Sequence, residues 1–210
     1  MKKELNYTDK IICEIDRAIR MNLGLLKLKK VAVKTNYNDL TSEDKKISAR
    51  LMRINHTGEI CAQGLYQGQA LSSQSREISG IMKKAAEEET DHLIWCEARL
   101  HELGSRVSYL NPLFYLGSFL IGSLAGVFGD KVNLGLVAAT EDGVAKHLQG
   151  HLDKLPDADQ RSKEILSRMK EDEKRHADRA LAAGGHQYPN FIRGLMTLAS
   201  KIMTKTTYWF

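Results

Sequence analysis

Glu89-Thr-Asp-His92 and Glu173-Lys-Arg-His176 are the only two Glu-x-x-His sequences in the chain. The i, i+3 spacing sets a carboxylate and an imidazole on one face of a helix, where both turn toward a common point. Fourteen glutamates and seven histidines would give roughly half such a match by chance, so the setting rather than the spacing carries the argument. In both cases the face that bears the pair is the apolar one. Carboxylate oxygens and imidazole nitrogens gathered on buried faces form a donor set for iron or manganese.

The elements that must present these pairs follow from hydrophobic periodicity. Ile78, Met82, Ala85, Glu89, His92, Cys96 and Leu103 form one stripe of a helix predicted over 77–103, with Gly104 suited to its C′ position. Ile165, Met169, Glu173, His176 and Ala180 do the same over 159–183, before Gly184-Gly185. Each of these helices follows another with a single inward glutamate. One starts at the Thr41-Ser-Glu-Asp capping box, carries Ile47, Leu51, Ile54, Glu59 and Leu65, and ends at Ser72-Ser73-Gln74-Ser75. The other spans 131–155 with Leu134, Ala138, Glu141, Ala145, Leu148 and Leu152, and stops at Pro156. In a helical hairpin, facing residues lie equally far from the turn. The midpoint of Glu59 and Glu89/His92 falls near 74–75, and that of Glu141 and Glu173/His176 near 157–158. Each half-set is therefore about 16 residues, or about 24 Å, from its own hairpin tip.

Four buried carboxylates repel one another, and desolvating each costs several kcal/mol unless it is paired, so two divalent cations are expected among them. The absence of cysteine ligands argues against an iron–sulfur cluster or structural zinc. Glu59, Glu89, His92, Glu141, Glu173 and His176 are thus the candidate metal ligands. One Glu from each of two helices and a Glu-x-x-His from each of two others is the pattern of ferritin-like di-iron and di-manganese bundles. The expected architecture is all-α, a single domain over 1–210. It comprises a ferritin-like four-helix bundle, a long apolar crossover helix over 104–130 and extra terminal helices within 1–40 and 187–210. His147 and His151, spaced i, i+4, lie off the Glu141 stripe and suit a surface or supporting role. His56, one turn before Glu59, either orients it or faces solvent. Asp91, Asp142 and Asp172 are candidates for bonding the ligand imidazoles across the bundle. His101 and His186 have no evident partners.

The remaining composition bounds the answer. With 210 residues, 42% apolar and 27% charged, and only three prolines, the chain is neither disordered, fibrous nor a strand-rich sandwich. Cys13, Cys61 and Cys96 are read as reduced core thiols. Glu14, Asp16 and Arg17 interrupt any apolar leader, so the protein is expected to stay on the cytoplasmic side. A helix is expected over 8–23, outlying, with Ile12, Ile15, Ile19 and Leu23 on one face. The net charge of +5 comes with no nucleic-acid signature, and none is expected to bind. Residues 107–129 carry no charge at all, enough for a bilayer span. A single crossing would leave Glu59, Glu89 and His92 on one side and Glu141, Glu173 and His176 on the other, so this segment is read as the bundle crossover. Ser118, Gly122 and Gly126 have the small-xxx-small spacing of close helix contact. The crossover either lies against the membrane surface or is buried within the protein or a subunit interface. Residues 191–205 form either a fifth core helix or a second membrane-surface helix.

Taken in order, Asn55-His-Thr-Gly-Glu59, Glu88-Glu-Thr-Asp-His92, Thr140-Glu-Asp-Gly-Val-Ala-Lys-His147 and Asp172-Glu-Lys-Arg-His176 resemble the motifs of the di-iron demethoxyubiquinone hydroxylases of ubiquinone biosynthesis, in their bacterial form. The resemblance implies ring hydroxylation of 3-demethoxyubiquinol, a polyprenyl benzoquinol, by an oxygen-dependent monooxygenase. It implies two iron ions held by the six residues above, with Glu89 and Glu173 bridging, and dioxygen as co-substrate. Electrons would come from the reduced quinone or NADH, and His147 would help to place the quinone ring. A peripheral position on the cytoplasmic face of the cell membrane and other ubiquinone-biosynthesis proteins as partners are also implied. Iron storage, peroxide detoxification and a metal-free membrane-associated scaffold are the alternatives.

Overall fold

Thr41 starts the first long helix as its sequence predicts. Its Oγ1 accepts from the Asp44 N–H at 3.1 Å, and the Asp44 carboxylate accepts from the Thr41 N–H at 3.4 Å. A computed structural model describes residues 15, 16, 18–22 and 40–210, and all regular structure among them is helical. The labelled helices are α1 (Ser42–Ser72), α2 (Arg76–Glu102), α3 (Asn111–Val127), α4 (Asp130–Leu152), α5 (Gln160–Ala182) and α6 (Asn190–Thr207). Ser75 caps α2 and Asp159 caps α5, each accepting from the backbone N–H three residues on. Gly104, at φ 67, supplies the left-handed residue that ends α2.

The hairpins α1/α2 and α4/α5 pack side by side with their tips at opposite ends of the bundle. At one end Gln69 Nε2 donates to the Asn133 carbonyl at 2.8 Å, beside the start of α4. At the other, buried Arg99 near the end of α2 donates to Ser162 Oγ at 2.9 Å and Asp159 Oδ1 at 2.8 Å at the start of α5. Two half-sets, each about 16 residues from its own tip, therefore meet near mid-length of a bundle whose first helix has 31 residues.

The core is split around that level. One apolar cluster contains Leu51, Met52, Cys96, Leu148 and Met169, and another contains Tyr66, Met82, Leu134, Val137 and Ala180. Between them in sequence lie Glu59 in α1, Glu89 and His92 in α2, Glu141 in α4, and Glu173 and His176 in α5.

α3 is the crossover, and it runs parallel to α1 at backbone contact. A Cβ on Gly64 would strike the Tyr115 carbonyl, and one on Gly122 would strike the Leu65 backbone. Buried Thr57 Oγ1 donates to Asn111 Oδ1 at 2.8 Å where α3 begins. Gly64 and Gly68 supply the small residues on α1 that answer Gly122 and Gly126 on α3. The alternative of a crossover buried within the protein is overturned, because Leu113, Leu116, Leu120 and Leu124 are all more than half exposed. None of the helices among the described residues is long and apolar enough to cross a membrane.

The N-terminal segment differs from expectation, and one of the two readings of the C-terminal segment is excluded. Residues 18–22 are helical, but Ile15 and Ile19 point to solvent while Met21 is buried against Ile60 and Leu93. The segment is thus not outlying, because Met21, which is not part of the expected stripe, packs against α1 and α2. Ile12, Leu23 and Cys13 lie outside the described residues. α6 is not a fifth core helix: Phe191, Leu195, Leu198 and Ile202 are each at least half exposed. Cys61 and Cys96 are free thiols, half-buried and buried respectively.

Candidate metal centre

The four bundle helices bring all six predicted ligands into one buried layer. Glu59 comes from α1, Glu89 and His92 from α2, Glu141 from α4, and Glu173 and His176 from α5. Glu59, Glu89, His92 and Glu173 offer ligand atoms within 4.8 Å of one another, and so do Glu89, Glu141, Glu173 and His176. Glu89 and Glu173 belong to both sets. Both imidazoles direct Nδ1 inward: His92 Nδ1 lies 2.8 Å from Glu89 Oε2 and 3.2 Å from Glu173 Oε1, and His176 Nδ1 lies 2.7 Å from Glu89 Oε1. The four carboxylates are at most 2% exposed.

Several of these atoms lack what a buried polar atom needs. Glu89 Oε1, Glu141 Oε1, Glu173 Oε2 and His176 Nδ1 are buried with no hydrogen-bond partner. His176 Nδ1 and Glu89 Oε1 are close but not aligned as donor and acceptor. Burial, then Glu173 and Glu89, push the Glu59 carboxyl well above its ordinary value, and burial, then Glu173, do the same to Glu141. Burial would also raise Glu173, but the neighbouring Glu141, His176 and His92 bring it below the carboxylate range. Burial opposes charge on His92, yet Asp172, Glu173 and Glu89 hold it well above its ordinary value. His176 is raised to about 10 against the same burial penalty, by Glu173 and Glu89. Orphaned donor atoms around a dense negative charge are compatible with a pair of divalent cations, which Glu59, Glu89, His92 and Glu173 and, beside them, Glu89, Glu141, Glu173 and His176 would hold.

Each imidazole is fixed from outside by a carboxylate of the opposite hairpin. His92 Nε2 lies 3.0 Å from Asp172 Oδ2, and His176 Nε2 lies 3.1 Å from Glu88 Oε2. Asp172 immediately precedes Glu173 and Glu88 immediately precedes Glu89, so each acid–Glu-x-x-His run steadies the histidine of the other. Of the three aspartates proposed for this role, Asp172 takes it. Asp142 instead pairs with Lys146 and Arg193, both at 2.7 Å, and Asp91 is exposed. Glu88 went unrecognised, although the acid before each Glu-x-x-His was the available signal.

The other histidines stand apart. His56 is fully buried and neither faces solvent nor bonds Glu59; its Nδ1 lies 3.4 Å from Asn111 Nδ2. His151 is not a surface residue: it is 3% exposed, with Nδ1 2.7 Å from Asn55 Oδ1. His147 is half-buried, outside the ligand layer, in edge contact with His151 at 4.0 Å, and its Nε2 is buried without a hydrogen-bond partner. Burial first lowers the pKa of both His56 and His151, to about 3. His101 is exposed, 3.9 Å from Glu97, and His186 is exposed. Glu97 is a buried carboxyl outside the layer that periodicity did not single out, raised by burial to about 7.

Known proteins are similar to this one along nearly the whole chain. A protein from Ectopseudomonas mendocina (strain ymp), described as 3-demethoxyubiquinol 3-hydroxylase, is 49% identical over 213 residues, covering 99% of each chain. Proteins of the same description from Nitrosococcus oceani and Legionella pneumophila (strain Paris) are 47% and 48% identical over 210 residues. They cover 99% and 97% of this chain and 98% of their own. The sequence profile of the ubiquinone biosynthesis protein COQ7 matches residues 46–207, which hold all six residues of the layer and both of their outer carboxylates. The chain belongs to the family of the ubiquinone biosynthesis protein COQ7.

Proposed function

We propose that this protein is an oxygen-dependent di-iron monooxygenase that hydroxylates the ring of 3-demethoxyubiquinol in ubiquinone biosynthesis. The observation that carries the reading is the pair of interlocked ligand sets sharing Glu89 and Glu173. Glu59 and His92 would hold one iron and Glu141 and His176 the other, with Glu89 and Glu173 available to both. Two irons, when bound, would supply activation of dioxygen for insertion of one oxygen atom into a ring C–H bond, with the other released as water by two electrons and two protons from reduced quinol, or from NADH and a proton. Six protein ligands for two ions leave coordination positions open. Asp172 and Glu88 keep the imidazole Nδ1 atoms aimed inward, and the apolar clusters above and below exclude bulk water. His147, with its unpartnered Nε2, is assigned to a quinol hydroxyl.

Access for a lipid-soluble quinol is assigned to the exposed apolar stripes of α3 and α6. Leu113, Leu116, Leu120 and Leu124 on one and Phe191, Leu195, Leu198 and Ile202 on the other are each at least half exposed, which favours contact with a membrane surface. On this reading the protein is peripheral, on the cytoplasmic face. The test is iron content and oxygen-dependent hydroxylation of a demethoxyquinol by wild type and Glu89→Ala. Wild type is expected to carry about two irons and to turn over, and the variant to do neither. Iron-reconstituted wild type without hydroxylase activity, or a variant as active as wild type, would overturn the reading.

A further inference from the structure

A second polar site lies at the end of the bundle where α1 starts and α6 finishes, away from the carboxylate layer. A cavity of about 470 Å³ opens there between the first turns of α1, the α2–α3 connection and the last residues of the chain. Its walls carry Lys45, Lys46, Arg50, Arg53 and Arg106, and no Asp or Glu. The guanidinium groups are held by aromatic rings, hydroxyls and backbone oxygens, with Arg106 Nη1 donating to the Val107 oxygen at 3.3 Å and the Phe210 oxygen at 3.4 Å. That of Arg50 lies 4.9 Å from the ring centres of both Tyr208 and Trp209, and its Nη1 is 3.3 Å from Tyr208 Oη. Arg53 donates to the Arg106 carbonyl at 3.1 Å and to Ser105 Oγ at 2.9 Å, while Arg106 stacks 3.6 Å over Tyr109. None of these three arginines pairs with a carboxylate side chain among the described residues. Lys46 meets Glu43 at 3.7 Å.

Three fixed guanidinium groups around one cavity repel one another, and burial, then Arg106 and Arg50, lower the pKa of Arg53. Such a cluster favours an anion, and planar guanidinium forks match the oxygens of a phosphate. Location narrows the anion further. Tyr109, Trp209 and Phe210 stand exposed about the cavity and continue into the apolar stripes of α3 and α6. Aromatic rings beside cations at the edge of an apolar face suit the headgroup level of a bilayer.

We infer that this cavity binds the phosphate of an anionic glycerophospholipid whose acyl chains lie along α3 and α6. The inference rests on the membrane-surface reading above, and its test separates the two. Binding of the full-length protein is measured to phosphatidylcholine vesicles, and to vesicles with added phosphatidylglycerol. The proteins compared are wild type, Arg50→Gln/Arg53→Gln, Lys45→Gln/Lys46→Gln and the charge-matched remote control Lys83→Gln/Lys154→Gln. Each cation near an anionic surface contributes about fivefold to partitioning, so either cavity variant should lose about 30-fold on phosphatidylglycerol vesicles. The control should lose far less, and binding to neutral vesicles should hold for all four. The lysine pair is exposed and outside the packing, so its result stands even if the arginine pair disturbs the fold. Equal losses in cavity and control variants would overturn the site, leaving only diffuse charge. Inorganic phosphate bound in solution without any preference for anionic vesicles would overturn the lipid assignment. Failure of wild type to bind either vesicle would instead overturn the membrane reading on which the site rests.

Discussion

Asp172→Asn isolates the charge that steadies His92. Asn has nearly the size of Asp and keeps an acceptor oxygen, so the 3.0 Å contact to Nε2 can persist while the negative charge is removed. Carboxylates that hold a ligand imidazole from outside typically contribute 10–100-fold to metal affinity, or about 1.4–2.7 kcal/mol. The side chain of Asp172 is 21% exposed and that of Glu88 is 37% exposed, so solvent screens the Glu88–His176 pair more strongly. Asp172→Asn should therefore weaken iron binding by about 10–50-fold and Glu88→Gln by only about 3–10-fold. Arg175 loses its partner Asp172, but that arginine is mostly exposed and its loss adds little. Competition with a chelator of known affinity reads the iron term, and melting of the metal-free protein reads the structural term. The metal-free variant should melt within a few degrees of wild type, because about 1 kcal/mol moves a chain of this size by about 2–4 °C. Unchanged iron affinity in Asp172→Asn, or a larger effect from Glu88→Gln, would refute the reasoning.

Three further outcomes follow from geometry. Because Glu59 belongs to one ligand set and Glu89 to both, Glu59→Ala should retain about one iron per chain and Glu89→Ala close to none, by metal analysis after reconstitution. Gly122→Ala puts a methyl group against the Leu65 backbone, which cannot swing aside. It should cost about 2–3 kcal/mol in denaturant unfolding, whereas Gly117→Ala, with open space around it, should be neutral or slightly stabilising. His56 and His151 are buried neutral, with folded values of about 3 against about 6.5 unfolded, so their stability is complete above about pH 6.5 and is lost as pH falls. At pH 5 each should cost up to about 2 kcal/mol; His56→Gln/His151→Gln should melt with a shallower pH dependence between 7.5 and 5, and parallel curves would count against it.

The bundle was legible because its helices carry their own punctuation. Thr41 caps where the sequence predicts, the helices capped by Ser75 and Asp159 start within one residue of the predicted 77 and 159, and Gly104 ends α2 at a backbone conformation that suits glycine. The terminal helices were harder for a physical reason. Periodicity reveals that a helix has an apolar face but not what covers it, and the faces of α6 and of Ile15 and Ile19 turn outward. The close approach of α3 to α1 was half legible. Gly122 and Gly126 were visible in an uncharged run, whereas Gly64 and Gly68 lie within an ordinary amphipathic pattern whose meaning depends on the partner.

The ligand layer could be read from sequence because each of its members breaks an apolar stripe, and because helix geometry converts sequence distance into height. Equal distances from the two turns would not by themselves unite the half-sets, since the hairpin tips point in opposite directions. They coincide because each hairpin places its set near mid-length and because Arg99, bridging the end of α2 to Asp159 and Ser162, fixes the register between the hairpins. That bridge links residues 60 and 63 apart in the chain and carries no periodic mark, so it is invisible before folding. The same holds for Asn55 with His151. Spacing identifies groups that share a helix face; the partners that orient them come from other helices, and only the packing of two apolar clusters around the polar layer brings those partners within reach.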